Sequence, residues 1–305
     1  MKVKVKSTLL AIGAASAFSL APATAFSANQ SYEEIIEKAE ATIGAIEAEA
    51  SLAERVPDEY KENLSVGMTF RFPPLRWMYE GTRLGPEYDL ARAIGKVLDT
   101  EIEFIDVAFD SIIPSLKAQR IDMAVISMAD QPDRQEQVTF VNYYKSGTGI
   151  EVVKGNPHNI QNLADLCGYV VAIQQGVNGV PASQEQSKQC EADGKKPIDI
   201  QLYESSNDAT LAVVSGRADA TINDYPAAVY ESQTIKDGEA LELLDEMVTE
   251  DSIYGIVLRK SEEGFQKLVQ AALQHLMDEG IYEEIYTNHG LEQGLIPEAT
   301  INAGT

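Results

Sequence analysis

The chain is poor in the residues that most enzyme chemistry depends on. It has two cysteines and three histidines in 305 residues. The histidines, His158, His275 and His289, are too scattered to outline a metal cluster. No G-x-S-x-G elbow, no H-E-x-x-H pair and no Walker-type glycine loop occurs, so catalysis by the routes these motifs carry has no support. No cofactor and no metal is expected. Positive charge is scarce as well: 24 Lys and Arg stand against 48 Asp and Glu, a formal charge of −24. Nucleic acid and anionic lipid both require a basic surface, so neither is expected as a partner. The apolar run Leu9–Leu20 is shorter than the about 20 residues of a membrane span.

That run belongs to a processing segment. Lys2, Lys4 and Lys6 form a basic start, and Ala23-Thr24-Ala25 is an A-x-A cleavage site. Residues 1–25 are read as a cleaved signal peptide and the mature chain as exported, most simply to a periplasm. No cysteine lies near the cut, so no lipid anchor is expected. Export places Cys167 and Cys190 where a disulfide can form. Such a bridge contributes about 3 kcal/mol in the chain-entropy model; two free buried thiols are the alternative. The mature chain is long enough for two lobes of ordinary size, and a monomer is expected. Residues 26–62 read as an acidic helical extension, with Ile35, Ile36, Ala39, Ile43 and Ile46 at helical spacing. A solvated extension is the expectation, and partner binding the alternative.

The most informative pattern is internal. Asp110–Ser127 and Asp208–Asp224 read as copies of one unit: an amphipathic helix, an Arg-x-Asp turn (Arg120/Asp122 and Arg217/Asp219) and a short apolar strand. Each strand ends in a polar residue five positions after the turn aspartate, Ser127 and Asp224. Ligands of open α/β sheets bind just past the carboxyl ends of strands, so two units imply two lobes presenting strand ends to one cleft. Strands at 64–69 and 101–107 and a helix to about Leu98 complete a β-α-β-α-β order, which predicts a parallel sheet with right-handed crossovers. Phe72-Pro-Pro-Leu75 reads as a rigid loop. Gly147–Lys154 and Ile253–Arg259 are expected to cross between lobes as a hinge. A helical pattern over Glu262–Tyr286 finishes the first lobe. The predicted class is α/β, a two-lobed type 2 periplasmic binding fold with two parallel-rich sheets. Residues 63–147 plus 255–305 form one lobe and 148–254 the other.

At this point the residues resemble a known family, the family 3 extracellular solute-binding proteins that serve as amino-acid receptors of ABC importers. The resemblance rests on Val66-Gly-Met, Phe72-Pro-Pro, Tyr88-Asp-Leu-Ala, Phe109-Asp-Ser-Ile-Ile-Pro-Ser-Leu, Arg120-Ile-Asp, Met128 to Arg134, Asp165-Leu-Cys-Gly and Asp224-Tyr-Pro-Ala-Ala, in order across residues 60–292. It implies a small amino-acid ligand, an ABC permease as partner and the following site. Arg134 would grip the ligand α-carboxylate, for which a guanidinium fork is suited. Asp224 would take the α-ammonium. Phe72 and Phe109 would sandwich the aliphatic part, and Asn178 would hydrogen-bond from the second lobe. The Met128–Ala129 segment departs from the family pattern, with Ala129 and Gln131 where hydroxyl residues are usual. Carboxylate contacts would then come from Ser127 and from backbone N–H groups. Thr69 stands where receptors for cationic amino acids often carry an acid, which takes support from Lys or Arg as ligand. Arg71 or Arg76, if turned into the cleft, would favour a polar or acidic amino acid; both facing solvent is the alternative. A cyclohexadienyl dehydratase-like enzyme on the same fold, and a receptor for a chemosensory or sensor-kinase partner, are the other functional readings.

Overall fold

The computed structural model describes residues 32–304; the signal peptide read over residues 1–25 lies outside them. The acidic extension forms helices α1 (Tyr32–Gly44) and α2 (Ala50–Ala53). Then follow β1 (Asn63–Gly67), the short strands β2 (Arg71–Phe72), β3 (Arg76–Tyr79) and β4 (Thr82–Leu84), helix α3 (Pro86–Val97) and β5 (Glu101–Ile105). The first repeated unit supplies α4 (Ile112–Lys117) and β6 (Met123–Ala124). Helix α5 (Pro132–Gln135) leads into β7 (Val138–Val153). The second lobe holds β8 (Val170–Gln174), α6 (Gly179–Ala192), β9 (Asp199–Tyr203), α7 (Ser206–Val214), β10 (Ala220–Asp224) and α8 (Tyr225–Thr234). Strand β11 (Leu241–Arg259) returns the chain to α9 (Glu263–Asp278) and α10 (Ile281–Asn288).

The strands run in the order β5-β1-β6-β11-β7-β10-β8-β9, with β2-β3-β4 as a separate antiparallel sheet. Each lobe has a parallel half, β5-β1-β6 and β10-β8-β9. Between them lie β7 and β11, antiparallel to each other and long enough to run through both lobes. Hydrogen bonding is therefore unbroken from one half to the other, the two parallel-rich sheets being joined by a two-strand hinge as expected from the sequence. The long strands also exceed the crossing segments read at 147–154 and 253–259. Nearly all of β7 is buried, so it has no alternation of apolar and polar residues to mark it as a strand. Close approach of the pair needs Gly255, where a Cβ would stand 2.7 Å from Phe140 Cβ.

The two repeated units do the same structural work. Asp122 accepts a hydrogen bond from the backbone N–H of Ser65 in β1 at 2.9 Å, and Asp219 from that of Val170 in β8 at 2.8 Å. In return the Asp122 and Asp219 N–H groups donate to the carbonyls of Ser65 and Val170. Each turn aspartate thus pins its strand to the first strand of its lobe and fixes the register that places the following strand end.

Two expectations are corrected. The acidic extension is not solvated: α1 buries Ile35, Ala39 and Ile43 against α3 and α10. Glu40 pairs with both terminal nitrogens of Arg92 at 2.8 and 2.9 Å, and Thr42 donates to Glu284 at 2.7 Å. The helix read over Glu262–Tyr286 is two helices, because Gly280 adopts a left-handed conformation (φ 74°) between α9 and α10 that breaks the i→i−4 ladder. Cys167 and Cys190 form a disulfide with Cα atoms 5.6 Å apart, tying the entry of the second lobe to the last turns of α6.

In the second lobe two acids are buried side by side. Glu151 on β7 is fully buried and Glu231 on α8 nearly so. Glu231 accepts from Thr210 at 2.8 Å and from Asn223 at 3.1 Å, and no Lys or Arg pairs with either acid among the described residues. Burial, and for Glu151 the neighbouring Glu231 charge, push both carboxyls above their usual range. The folded state therefore keeps a proton that the unfolded chain releases near the ordinary carboxylate pKa. Stability is fully present below that value and is lost as pH rises through the folded-state titration. Glu151→Gln should raise the thermal midpoint at pH 8, with the gain vanishing by about pH 4, where the unfolded carboxyls are also protonated. A gain equal at both pH values would show that charge is not the cause.

Candidate functional site

The floor of the cleft is a buried polar cluster. Arg76 on β3 and Glu87 in the first turn of α3 are 4% and 0% exposed. The Arg76 guanidinium pairs with Glu87 through a short contact and donates to Ser127 Oγ at 2.8 Å. Ser127 Oγ donates to the second Glu87 oxygen at 2.7 Å, and the buried Tyr143 hydroxyl donates to the same oxygen. The Ser127 N–H donates to Tyr143 at 3.0 Å, and Ser127 itself has φ 52°. The Arg76 Nε is buried without a partner. Four elements are joined here: the small sheet, α3, the end of the first repeat and the hinge strand β7.

Above this floor lies a cavity of about 240 Å³ between the lobes. The first lobe contributes Thr69, Arg71, Phe72, Arg76, Asp106, Ala108 and Phe109. The second contributes Gln174 at the end of β8 and Glu204, Ser205, Ser206 and Asp208 past the end of β9. Phe72 is buried beneath the Arg76 guanidinium, 4.8 Å from its ring centroid. The Arg76 charge is neutralised by Glu87, and Arg71 is exposed at the mouth. Asp106, Glu204 and Asp208 are exposed there too, and against Arg71 they leave the cavity acidic on balance.

Arg134 lies at the side of this cavity, its guanidinium carbon 5.9 Å from the Phe109 ring centroid. It donates to Ala129 O at 2.8 Å and, across the cleft, to Gly176 O at 2.7 Å. Asp224 ends β10, and each of Arg134 and Asp224 stabilises the ionised form of the other. Burial pushes Asp224 up to about 7, with Arg76, Arg134 and the nearby Tyr254 hydroxyl opposing the rise. Asn178 begins α6 and donates to Ser252 on β11 at 3.1 Å.

Of the residues singled out in the sequence, Arg71, Phe72, Arg76 and Phe109 line the cavity, while Arg134 lies beside Phe109 and Asp224 near Arg134 without lining it. Three face elsewhere. The Ser127 hydroxyl turns into the buried cluster and positions Arg76 and Glu87. Met128 packs in the core beside Ile126 and Phe140, and Ala129 is buried with its carbonyl given to Arg134. The sequence reading missed Glu87, Tyr143, Asp106, Glu204 and Asp208. The last three had a signal: they follow the carboxyl end of a parallel strand, β5 or β9, where site residues gather. Glu87 had none, since a first-turn glutamate after Gly85-Pro86 reads as a helix start.

A strand-end cleft between two parallel-rich halves, crossed by two antiparallel strands, is the architecture of a binding protein. The family model described as bacterial extracellular solute-binding proteins, family 3, matches residues 64–292. The chain belongs to this family. The resemblance drawn from the sequence is thereby borne out. Among curated relatives of this family 3 protein, "Arginine-binding protein ArgT" of Corynebacterium glutamicum is 31% identical over 243 residues, covering 78% of each chain. Among solved structures, "An ancestral arginine-binding protein bound to arginine" superposes with a TM-score of 0.68 at 29% identity, covering 75% of this chain and 99% of that one. The "ancestral amino acid-binding protein AncCDT-1, a precursor of cyclohexadienyl dehydratase" gives 0.68 at 27% identity, covering 79% and 99%. Among the described residues no helix is long and apolar enough to cross a membrane.

The buried cluster has a direct test. Glu87→Ala would leave the Arg76 guanidinium buried without its carboxylate, which typically removes about 3–5 kcal/mol. Chemical denaturation should show a loss of that order; a loss under about 1 kcal/mol, the range of an exposed ion pair, would mean that water reaches Arg76.

Proposed function

We propose that this protein is an exported receptor for a single amino acid, which it binds by closing two lobes and passes to an ABC permease without turnover. One lobe is residues 63–147 with 255–305 and the other 148–254, moving about β7 and β11. In this reading Arg134 takes the α-carboxylate and Asp224 the α-ammonium, with Phe72 and Phe109 against the ligand's aliphatic part. The ligand closes the cleft because it touches both lobes only in the closed form.

The reading extends to a cationic side chain of the arginine class. The observation that carries it is the charge of the cavity wall: Arg76 is neutralised by Glu87, while Asp106, Glu204 and Asp208 outnumber Arg71. These acids stand in for the one that position 69 lacks. The names of the curated relative and of the ancestral structure point the same way. A polar or acidic ligand has one observation in its favour, the buried Arg76 Nε without a partner beside the exposed Arg71.

Calorimetry of refolded, ligand-stripped protein with arginine, lysine, histidine, glutamine and glutamate decides between them. Arginine binding with glutamate inert is expected; the reverse order would move the ligand to Arg71 and Arg76. Arg134→Ala should weaken the bound amino acid by about 2–5 kcal/mol. The pH dependence follows from Asp224, whose carboxyl is pushed up to about 7 by burial. An incoming ammonium favours the ionised form, so binding at pH 7 should release protons to the buffer. Affinity should fall as pH drops below 7, by up to about tenfold per unit. Affinity independent of pH between 5 and 8 would remove Asp224 from the ammonium site.

A further inference from the structure

The acidic extension contacts the opposite lobe at Tyr32, the first residue of α1. The helix is anchored to the first lobe through Ile35 and Ile43, the Glu40–Arg92 pair and the Thr42–Glu284 hydrogen bond. From this base the Tyr32 hydroxyl meets that of Tyr230 on α8 at 3.0 Å. Helix α8 is held in the second lobe by Glu231, which accepts from Thr210 of α7 and Asn223 of β10. The Tyr32 ring also lies against β3, with centroids 4.4 Å from Tyr79 and 6.2 Å from Trp77. Trp77 in turn is 6.4 Å from Tyr230. Four aromatic side chains from three elements thus meet where the lobes meet. None of them lines the cavity.

We propose that α1 is a clasp: Tyr32, carried by the first lobe, closes on Tyr230 of the second over Trp77, and stabilises the closed form at a place the ligand never touches. The proposal rests on the hinge-closure reading above. Its physics is the Trp77–Tyr230 ring contact and the Tyr32–Tyr230 hydrogen bond, both present only when the lobes are together, with Tyr79 and Trp77 fixing the Tyr32 ring on the first lobe. Trp77 and Arg76 are neighbours on β3, so the clasp and the cleft floor are built on the same strand. A ligand that closes the lobes makes the clasp, and a weakened clasp raises the free energy of the closed state for any ligand.

The test uses the full mature chain with Tyr32→Ala and Tyr32→Phe. Trp77 is the only tryptophan and is 6% exposed, so its emission reports the clasp directly. In ligand-free protein Tyr32→Ala should shift that emission to the red and increase the radius of gyration measured by X-ray scattering. Affinity for L-arginine should fall about 2- to 10-fold, the order set by one hydrogen bond between the lobes. Tyr32→Phe, which keeps the ring but removes the hydroxyl, should give a similar loss of affinity with a smaller change in emission, and guards against misfolding of the alanine variant. Tyr230→Phe should match it from the other lobe. If emission shifts while the radius of gyration and affinity stay at wild-type values, Tyr32 merely covers Trp77 and the clasp is overturned. Unchanged emission and scattering overturn it equally. If wild-type protein binds no amino acid, the receptor reading fails, and the scattering and emission of ligand-free protein still decide the clasp.

Discussion

The buried pairing of Arg76 with Glu87 is the interaction on which the rest of the cleft depends. A guanidinium and a carboxylate taken out of water together gain little over well-packed apolar groups, but either one alone is strongly disfavoured. The pair therefore obliges β3 and α3 to stay in one arrangement. Ser127 and Tyr143 complete the hydrogen bonding of Glu87, which extends the constraint to the end of the first repeat and to the hinge strand. Its electrostatic consequence is as important as its mechanical one. With Arg76 neutralised, the sign of the cavity is set by Asp106, Glu204 and Asp208, and an arginine that looks ligand-directed in the sequence becomes part of the scaffold.

The fold was legible wherever the information is local. The Arg120/Asp122 and Arg217/Asp219 turns could be matched by eye, and their aspartates make matching bonds to β1 and β8. Helix α3 and strands β1, β5 and β8 carry ordinary periodicity and turn residues. The hinge was less legible, because β7 is buried over nearly its whole length and shows no alternation. The acidic extension shows why an apolar stripe alone does not reveal its fate. Ile35, Ala39 and Ile43 announce an amphipathic helix, but only the tertiary structure supplies α3 and α10 to cover it. The site divides along the same line. Arg134, Asp224, Phe72 and Phe109 stand in recognisable motifs. Glu87 and Tyr143 meet across 56 positions of sequence and carry no local mark.

Contacts between the lobes explain how such a receptor can be tuned without touching its ligand site. Arg134 reaches Gly176 O and Tyr32 reaches Tyr230 from one lobe to the other. Each favours closure in the absence of ligand, and so divides the closing free energy between protein and ligand. A ligand shifts the equilibrium only by its differential affinity for the two forms. Burial holds the Asp224 carboxyl at about 7, so in the proposed reading an ammonium bound there displaces its proton. Binding, closure and charge are one coupled event in this account.

The most direct test is a crystal structure of the protein with its bound amino acid. The account places the α-carboxylate on Arg134, the α-ammonium on Asp224 and the side chain between Phe72 and Phe109, ending near Glu204 and Asp208, with Arg76 still paired to Glu87. A ligand carboxylate held by Arg76 or Arg71, with the Arg76–Glu87 pair broken, would contradict it.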